Sequence, residues 1–247
     1  MGNTIIGVPF EAEQSLRSLI VDQFDPPGAE VLDVSRRLFK IRAADSHGHR
    51  SSASILINRM YASRGYRTTP LPAQTVPDRI TLTASDQDQV IGTITIGLDS
   101  PVGLLCDEHY LDEINLLRDA GVRVCEFTKL AMDSLIDSKR VLASLFHVAY
   151  IFAHRIKGCH CLVIEVNPRH VRYYERMLGF RVRGPQRMNR RVSAPAVLMA
   201  LDFSHAAEQI NRFGGSADVS DDVRSLYPFF FSVAEEAGIV GRLRRQD

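Results

Sequence analysis

The stretch from Val122 to Val166 does most to fix what this chain can fold into. Val122–Met132 is β-rich and apolar on both alternating faces, so it belongs in the middle of a sheet rather than at an edge. Ser138–Lys157 then carries apolar residues at helical spacing, with Val141, Leu145, Val148, Phe152 and Ile156 on one stripe and Ser138 as N-cap. Cys161–Val166 is a second buried strand. Strand, long helix, strand implies a parallel pair joined by a crossover helix. Asn167 followed by Pro168 opens another helix, because Asn caps free N–H groups and Pro has none to leave unpaired. That helix ends near Gly179.

The flanking sequence supplies a mixed α/β fold with a mostly antiparallel sheet. Residues 1–35 offer only an amphipathic stretch, Glu11–Phe24, closed by Asp25-Pro26-Pro27-Gly28, and read as a helical appendage. Phe39–Ala43 alternates like a strand, Ser51–Arg64 reads as a helix stopped by Gly65, and Ile80–Thr83 with Val90–Leu98 reads as a hairpin. Glu108–Ala120 is a further helix, with Asp107 and Glu108 suited to its positive end. Arg181–Asp202 holds two more β-rich runs, and the remainder, including Leu226–Leu243, reads as helical. The expected division is a main domain over 36–205 and a helical extension over 206–247 packed on it.

Composition removes several classes of function. Hydrophobic residues make up 45% and charged residues 24% of 247, which is enough to bury a core without staples. A net charge of +1 calls for no nucleic acid. Arg181, Arg183, Arg187, Arg190 and Arg191 crowd one short region, either as a solvated face or to receive an acidic partner. Cys159 and Cys161 point to one side of a strand with His160 opposite, and no second cluster completes a metal site, so no metal is expected. Val141–Ala153 is broken by Ser144 and His147 and falls short of the roughly 20 residues a membrane span needs. No leader pattern is present and position 6 is Ile, against myristoylation; a soluble, cytoplasmic protein is expected.

Glu126 stands out because it lies in the most apolar β segment. A carboxylate buried there is either paired or kept for chemistry as a proton acceptor. Glu165, on the next strand, poses the same question with a stronger lean toward structure. In Asn167–Phe180, an Asn after a strand opens a helix that carries Tyr174 and closes in Gly179-Phe180. This resembles the GNAT acyltransferases, in which a Tyr at that spacing protonates the leaving thiolate; Tyr173 is its rival. Asn58–Tyr66, Gly97–Pro101, Cys125–Ala131 and Tyr227–Phe231 further resemble the long-chain N-acyl amino acid synthases, relatives of the acyl-homoserine-lactone synthases. Lys129 departs from that family's pattern, where an Arg is common.

That resemblance implies a GNAT-like sheet with a central splayed strand pair. It also implies transfer of an acyl group from an acyl carrier protein to the amine of an amino acid. Glu126 would act as base, directly or through water, backbone N–H groups at the splay would hold the oxyanion, and Tyr174 or Tyr173 would protonate the thiol. Leu130, Ala131, Ser138, Lys139, Arg140 and Asn167 would serve the donor, and Arg59, Arg64 and Thr128 the acceptor. Asp137–Val141 has no glycine where coenzyme A enzymes hold a pyrophosphate, which suits the single phosphate of a phosphopantetheine arm, with acyl-coenzyme A as the other possible donor. No permanently bound cofactor is expected. The run Tyr227–Phe231 would border an acyl tunnel or pack in the core. Lactone synthesis, or a non-catalytic module sensing an acyl carrier or chain, are the alternatives the same features admit.

Overall fold

The computed structural model describes residues 4–10, 37–74, 76–133, 139–217 and 223–244. Its centre is one sheet with strand order β1-β2-β3-β4-β5-β6-β9-β7, with β8 pairing β9 off that path. The strands are β1 (Thr4–Phe10), β2 (Arg37–Ala43), β3 (Arg79–Asp86), β4 (Gln89–Leu98), β5 (Val124–Met132), β6 (Cys161–Val166), β7 (Arg181–Val182), β8 (Arg187–Asn189) and β9 (Ala194–Asp202). All neighbours are antiparallel except β5 and β6. The helices are α1 (His47–Ala62), α2 (Asp107–Asp119), α3 (Lys139–Tyr150), α4 (Val171–Leu178), α5 (Phe203–Phe213) and α6 (Val233–Arg244).

The strand–helix–strand unit forms as its pattern predicts, with β6 matching its expected bounds. The long helix is less regular: after α3 it widens into a π-helical turn over Ile151–Ile156. Ser138, its expected cap, lies outside the described residues. α1 begins earlier than expected, because Ser46 accepts the His49 N–H and caps it. Asn167 does cap, but over a single 3-10 turn, Pro168–His170, from which α4 continues to Gly179 in the left-handed region (φ 81°). Thr4–Phe10, which reads as part of a helical appendage, instead pairs with β2 at the sheet edge. The expected helix Glu11–Phe24 lies outside the described residues.

The two faces of the sheet are built differently. On one, Cys125, Phe127, Leu162 and Ile164 join α3, α4, α5, α6 and the Tyr227–Phe231 segment in one continuous apolar cluster. α3 is buried on nearly all sides, including Ser144 and His147, as a helix enclosed by sheet and helices must be. On the other face the apolar contacts separate into two. Val124, Cys161 and Val163 pack under α2, and Ala131 packs under α1 against Leu56, Ile57 and Met60.

Candidate active site

β5 and β6 pair over only three rungs, Val124–Cys161, Cys125–Leu162 and Glu126–Val163, and beyond them their edges have no partner in each other. At the same level β5 carries an extra residue: Thr95 faces Thr128 but Thr93 faces Ala131. Lys129 absorbs the bulge at φ 50°, a costly conformation for a side chain with a Cβ. Thr93 Oγ1 donates to the Lys129 carbonyl (2.9 Å), and Lys129 Nζ donates to the Thr69 carbonyl (2.6 Å), which fix the bulge in place. The result is a V-shaped opening through the sheet, with backbone groups of β5 on one side of it.

Glu126 lies at the last paired rung, 1% exposed. Oε1 accepts from Arg79 Nη1 (2.7 Å) and the Leu105 N–H (2.8 Å), and Oε2 from the Cys106 N–H (3.1 Å). The ionic partner is Arg79, across β4. The pair needs Gly97 between its members, because a Cβ there would lie 2.9 Å from the Glu126 side chain and 3.0 Å from Arg79. The two carboxylate oxygens serve three donors, which leaves one of about four lone-pair sites, on Oε2, for a water or an amine. Glu126 also ties the turn that precedes α2 to the sheet. Arg118 reinforces that turn by forking onto Asp99 (2.8 Å to each oxygen) and reaching Asp107 (2.7 Å). Asp107 in turn accepts the Leu104 N–H, and Glu108 pairs with Arg191.

Glu165 projects from β6 on the same face, two residues beyond the last rung. It pairs with Arg191, accepts from Asn189 Nδ2 (3.1 Å) and faces His109 Nδ1 at 3.3 Å. Burial pushes its carboxyl up to about 7; Arg191 pulls against this, while the charges of Glu126 and Glu108 add to it. Thr128 Oγ1, also buried here, has no hydrogen-bond partner.

Tyr174, on α4, lies on the other face of the sheet. Its ring packs on Phe146 and Phe180 in the large apolar cluster. Burial raises its hydroxyl well above the ordinary range, and Tyr173, Tyr61 and Arg64 act on it electrostatically, so it stays protonated. Tyr173 is 40% exposed, off the apolar stripe. The elements thus set a bulged strand and two buried carboxylates about one gap, with the protonated Tyr174 hydroxyl on the opposite face of the sheet. Among the described residues no group of three His, Cys, Asp or Glu is placed to hold a metal ion.

The family model for N-acyl amino acid synthase FeeM matches residues 52–202, which span this whole arrangement. The chain belongs to the FeeM N-acyl amino acid synthase family. Among solved structures, FeeM itself, from uncultured soil microbes, is similar with a TM-score of 0.64 and 26% identity over 70% of this chain and 95% of that one. A GNAT-family acetyltransferase from Streptococcus pneumoniae (TM-score 0.47, 16% identity, 66% and 99% covered) and the AHL synthase LasI (0.46, 12%, 66% and 88%) are also similar. No curated protein matches in sequence. The fold is that of the FeeM structure, and the protein is an N-acyltransferase.

The remaining sequence-derived candidates of this N-acyltransferase divide. Arg64 is exposed beside Tyr174, whereas Arg59 is engaged with the buried Asp133 (2.7 Å) and pins α1 to the end of β5. Leu130 packs on the large cluster, and Ala131 lies under α1 on the opposite face. Asn167 is at the mouth, spent on capping Arg169. Lys139 and Arg140 are exposed at the start of α3; Lys139 Nζ lies 6.0 Å from the Phe229 ring. Arg140 lines a cavity of about 110 Å³ with Phe229, Phe230, Phe231, Gly215 and Glu235. Of the five clustered arginines, Arg187 and Arg191 turn inward to Glu113 and to Glu108 and Glu165. Arg79, His109 and Asn189 escaped the sequence reading; the only signal was that Glu126 and Glu165 share a face of adjacent strands and must find partners.

Proposed function

We propose that this N-acyltransferase moves a long-chain acyl group from the phosphopantetheine arm of an acyl carrier protein to the amine of an amino acid. The reading is carried by the gap between β5 and β6, apolar and aromatic on the α3–α4 side and polar on the α1–α2 side. A thioester entering from the apolar side would lay its carbonyl against the bulge of β5, and the amine would approach from the polar side. The nitrogen lone pair forms the C–N bond while the carbonyl electrons move to oxygen, where N–H groups of the splayed strand would stabilise them. Collapse breaks the C–S bond; Tyr174, or the more exposed Tyr173, protonates the thiolate, and the proton shed by nitrogen balances it. Glu126 is the nearest carboxylate to the last rung and would act on the amine through water or by ordering the polar wall.

Carrier protein rather than coenzyme A is favoured by two features. The start of α3 offers Lys139 and Arg140 with no glycine loop, enough for one phosphate. Arg181, Arg183 and Arg190 remain exposed toward an acidic partner. Such an enzyme would work in the cytoplasm, where the carrier is; no helix among the described residues is long and apolar enough to cross a membrane. The test supplies matched acyl-carrier and acyl-coenzyme A donors with an amino acid mixture and identifies products by mass. Carrier-dependent N-acyl amino acids, formed more slowly as salt rises, are expected. Equal use of acyl-coenzyme A without salt dependence would reject the carrier, and no acylated amine from either donor would reject the reading.

A further inference from the structure

His109 and Glu165 form a buried couple that neither the fold nor the capping of α2 requires. Both side chains are 7% exposed. His109 Nε2 accepts the Arg190 N–H (3.3 Å), so the neutral ring carries its proton on Nδ1. That Nδ1 faces Glu165 Oε1 at 3.3 Å yet has no aligned hydrogen-bond partner. Burial, opposed by Glu108 and reinforced by Arg191, Arg190 and Arg187, lowers the ring's proton affinity. A buried donor without a partner is unusual enough to require an explanation. Here it borders a carboxylate two residues past the last β5–β6 rung, on the polar side of the gap.

We infer that Glu165 is the group that takes the proton from the acceptor's ammonium, with His109 as its positioning residue. The inference rests on the acyl-transfer reading and deepens it. An amino acid arrives mainly as R–NH3+, which cannot attack a thioester. Glu165 receives one proton as the N–H bond gives up its electrons to nitrogen, leaving R–NH2 and a neutral carboxylic acid. The His109 Nδ1–H, already a donor, turns toward the carboxyl and holds it, and Glu165 returns its proton to water once the product leaves; Glu108 stands half-exposed at the rim. The groups facing Glu165 are Cys106 from the turn before α2, Glu108, His109 and Tyr110 from α2, Glu126 from β5, and Asn189, Arg190 and Arg191 from β8 and the turn after it. Both carboxylates are engaged, Glu126 by Arg79 and two backbone N–H groups and Glu165 by Arg191, Asn189 and His109; Glu165 differs in lying past the last rung, where the strands have parted.

The experiment is the pH profile of kcat/KM for the amino acid with wild type, Glu165→Gln and Glu165→Asp, alongside thermal melting. At pH 7 Glu165→Gln should lose about 10²–10³-fold, and the deficit should close toward pH 9.5, where free amine no longer needs a base. Glu165→Asp should keep the wild-type limb at reduced rate, which also covers the case that the Gln variant folds poorly. Glu165→Gln should melt higher than wild type at pH 8. A Gln variant with the wild-type profile, or one that loses equally at every pH and melts lower, overturns the inference. Wild type that acylates no amine overturns the acyl-transfer reading instead.

Discussion

The same sheet presents a continuous apolar surface to α3–α6 and a divided one to α1 and α2. On the first face, buried ionisable groups are few and paired, although the Ser144 and Tyr150 hydroxyls have no hydrogen-bond partner. His147, 0% exposed and stacked between the Phe230 and Phe231 rings, accepts the Phe231 N–H (2.9 Å) and meets Glu236 (3.1 Å), which Arg155 also holds (2.7 Å). On the second face, Glu126, Glu165, His109, Arg79 and Arg191 fill the space between two small clusters; Thr128 Oγ1 has no hydrogen-bond partner, and His109 Nδ1 has only the unaligned Glu165 carboxylate at 3.3 Å. Satisfied polar networks specify a core, while partly satisfied ones cost stability and persist where they do chemistry. The difference teaches that one face secures the fold by continuous apolar packing, while the other crowds buried charges around a site.

The largest expected effect tests where the two faces meet. Tyr174→Phe keeps the ring contacts with Phe146 and Phe180 and removes only the hydroxyl. Turnover should fall about 10²–10⁴-fold at unchanged melting temperature, as expected for loss of a general acid. Tyr173→Phe should fall by less than about threefold. Reversal of the two results would move the acid to the surface and break the assignment of Tyr174 to the gap.

Next comes the pH dependence of stability, which should have opposite signs on the two faces. Glu165 is raised from 4.5 to about 7, so its contribution is complete below about 4.5 and is lost as pH rises through 7. The full loss is on the order of 3 kcal/mol. Burial alone would raise Glu236 too, but His147 and Arg155 outweigh it and hold the carboxyl low; burial lowers His147. Their contributions are complete above 4.5 and 6.5 and are lost as pH falls through the lowered values. Chemical denaturation of wild type and Glu165→Gln from pH 4 to 9 should therefore show the variant gaining stability above pH 7 and nothing at pH 4. A smaller change isolates the first face: Glu236→Ala should cost about 2 kcal/mol, with kcat per folded molecule unchanged. Loss of activity there would show that the apolar face also serves the chemistry directly.

The sequence revealed the first face more fully than the second, for a physical reason. Apolar periodicity announces burial, so β5, α3 and β6 could be placed and their parallel pairing inferred before any coordinates. Glu126 could be noticed because a carboxylate in such a run is costly. Its partner could not, since Arg79 is 47 residues away and meets it only because Gly97 leaves room between them. Glu165 with His109 and Arg191 likewise depends on α2 and the β8–β9 turn converging on one strand. β1 was missed because Gly7 and Pro9 interrupt its alternation and its pairing with β2 is long-range. The π-helical turn after α3 left no trace in spacing that fits an α-helix equally well.

The smallest effects should separate the two substrates, one per face. Arg140 stands exposed at the start of α3, beside the 110 Å³ cavity and the Phe229–Phe231 wall, where a donor's single phosphate would pass. Arg64 stands exposed beyond the end of α1, close enough to Tyr174 and His170 to act on both, where an acceptor's carboxylate would lie. Neither guanidinium is buried, so each contact competes with water and is screened by salt. Arg140→Ala should raise KM for the acyl carrier roughly 3–10-fold and leave KM for the amino acid alone. Arg64→Ala should do the reverse, and each ratio, worth up to about 1.4 kcal/mol, should shrink as salt rises. Steady-state kinetics with one substrate varied at a time measures all four values. A variant that raises both Michaelis constants equally would mean that the gap does not keep its two substrates on opposite sides, and the division of labour between the faces would fail at its entrance.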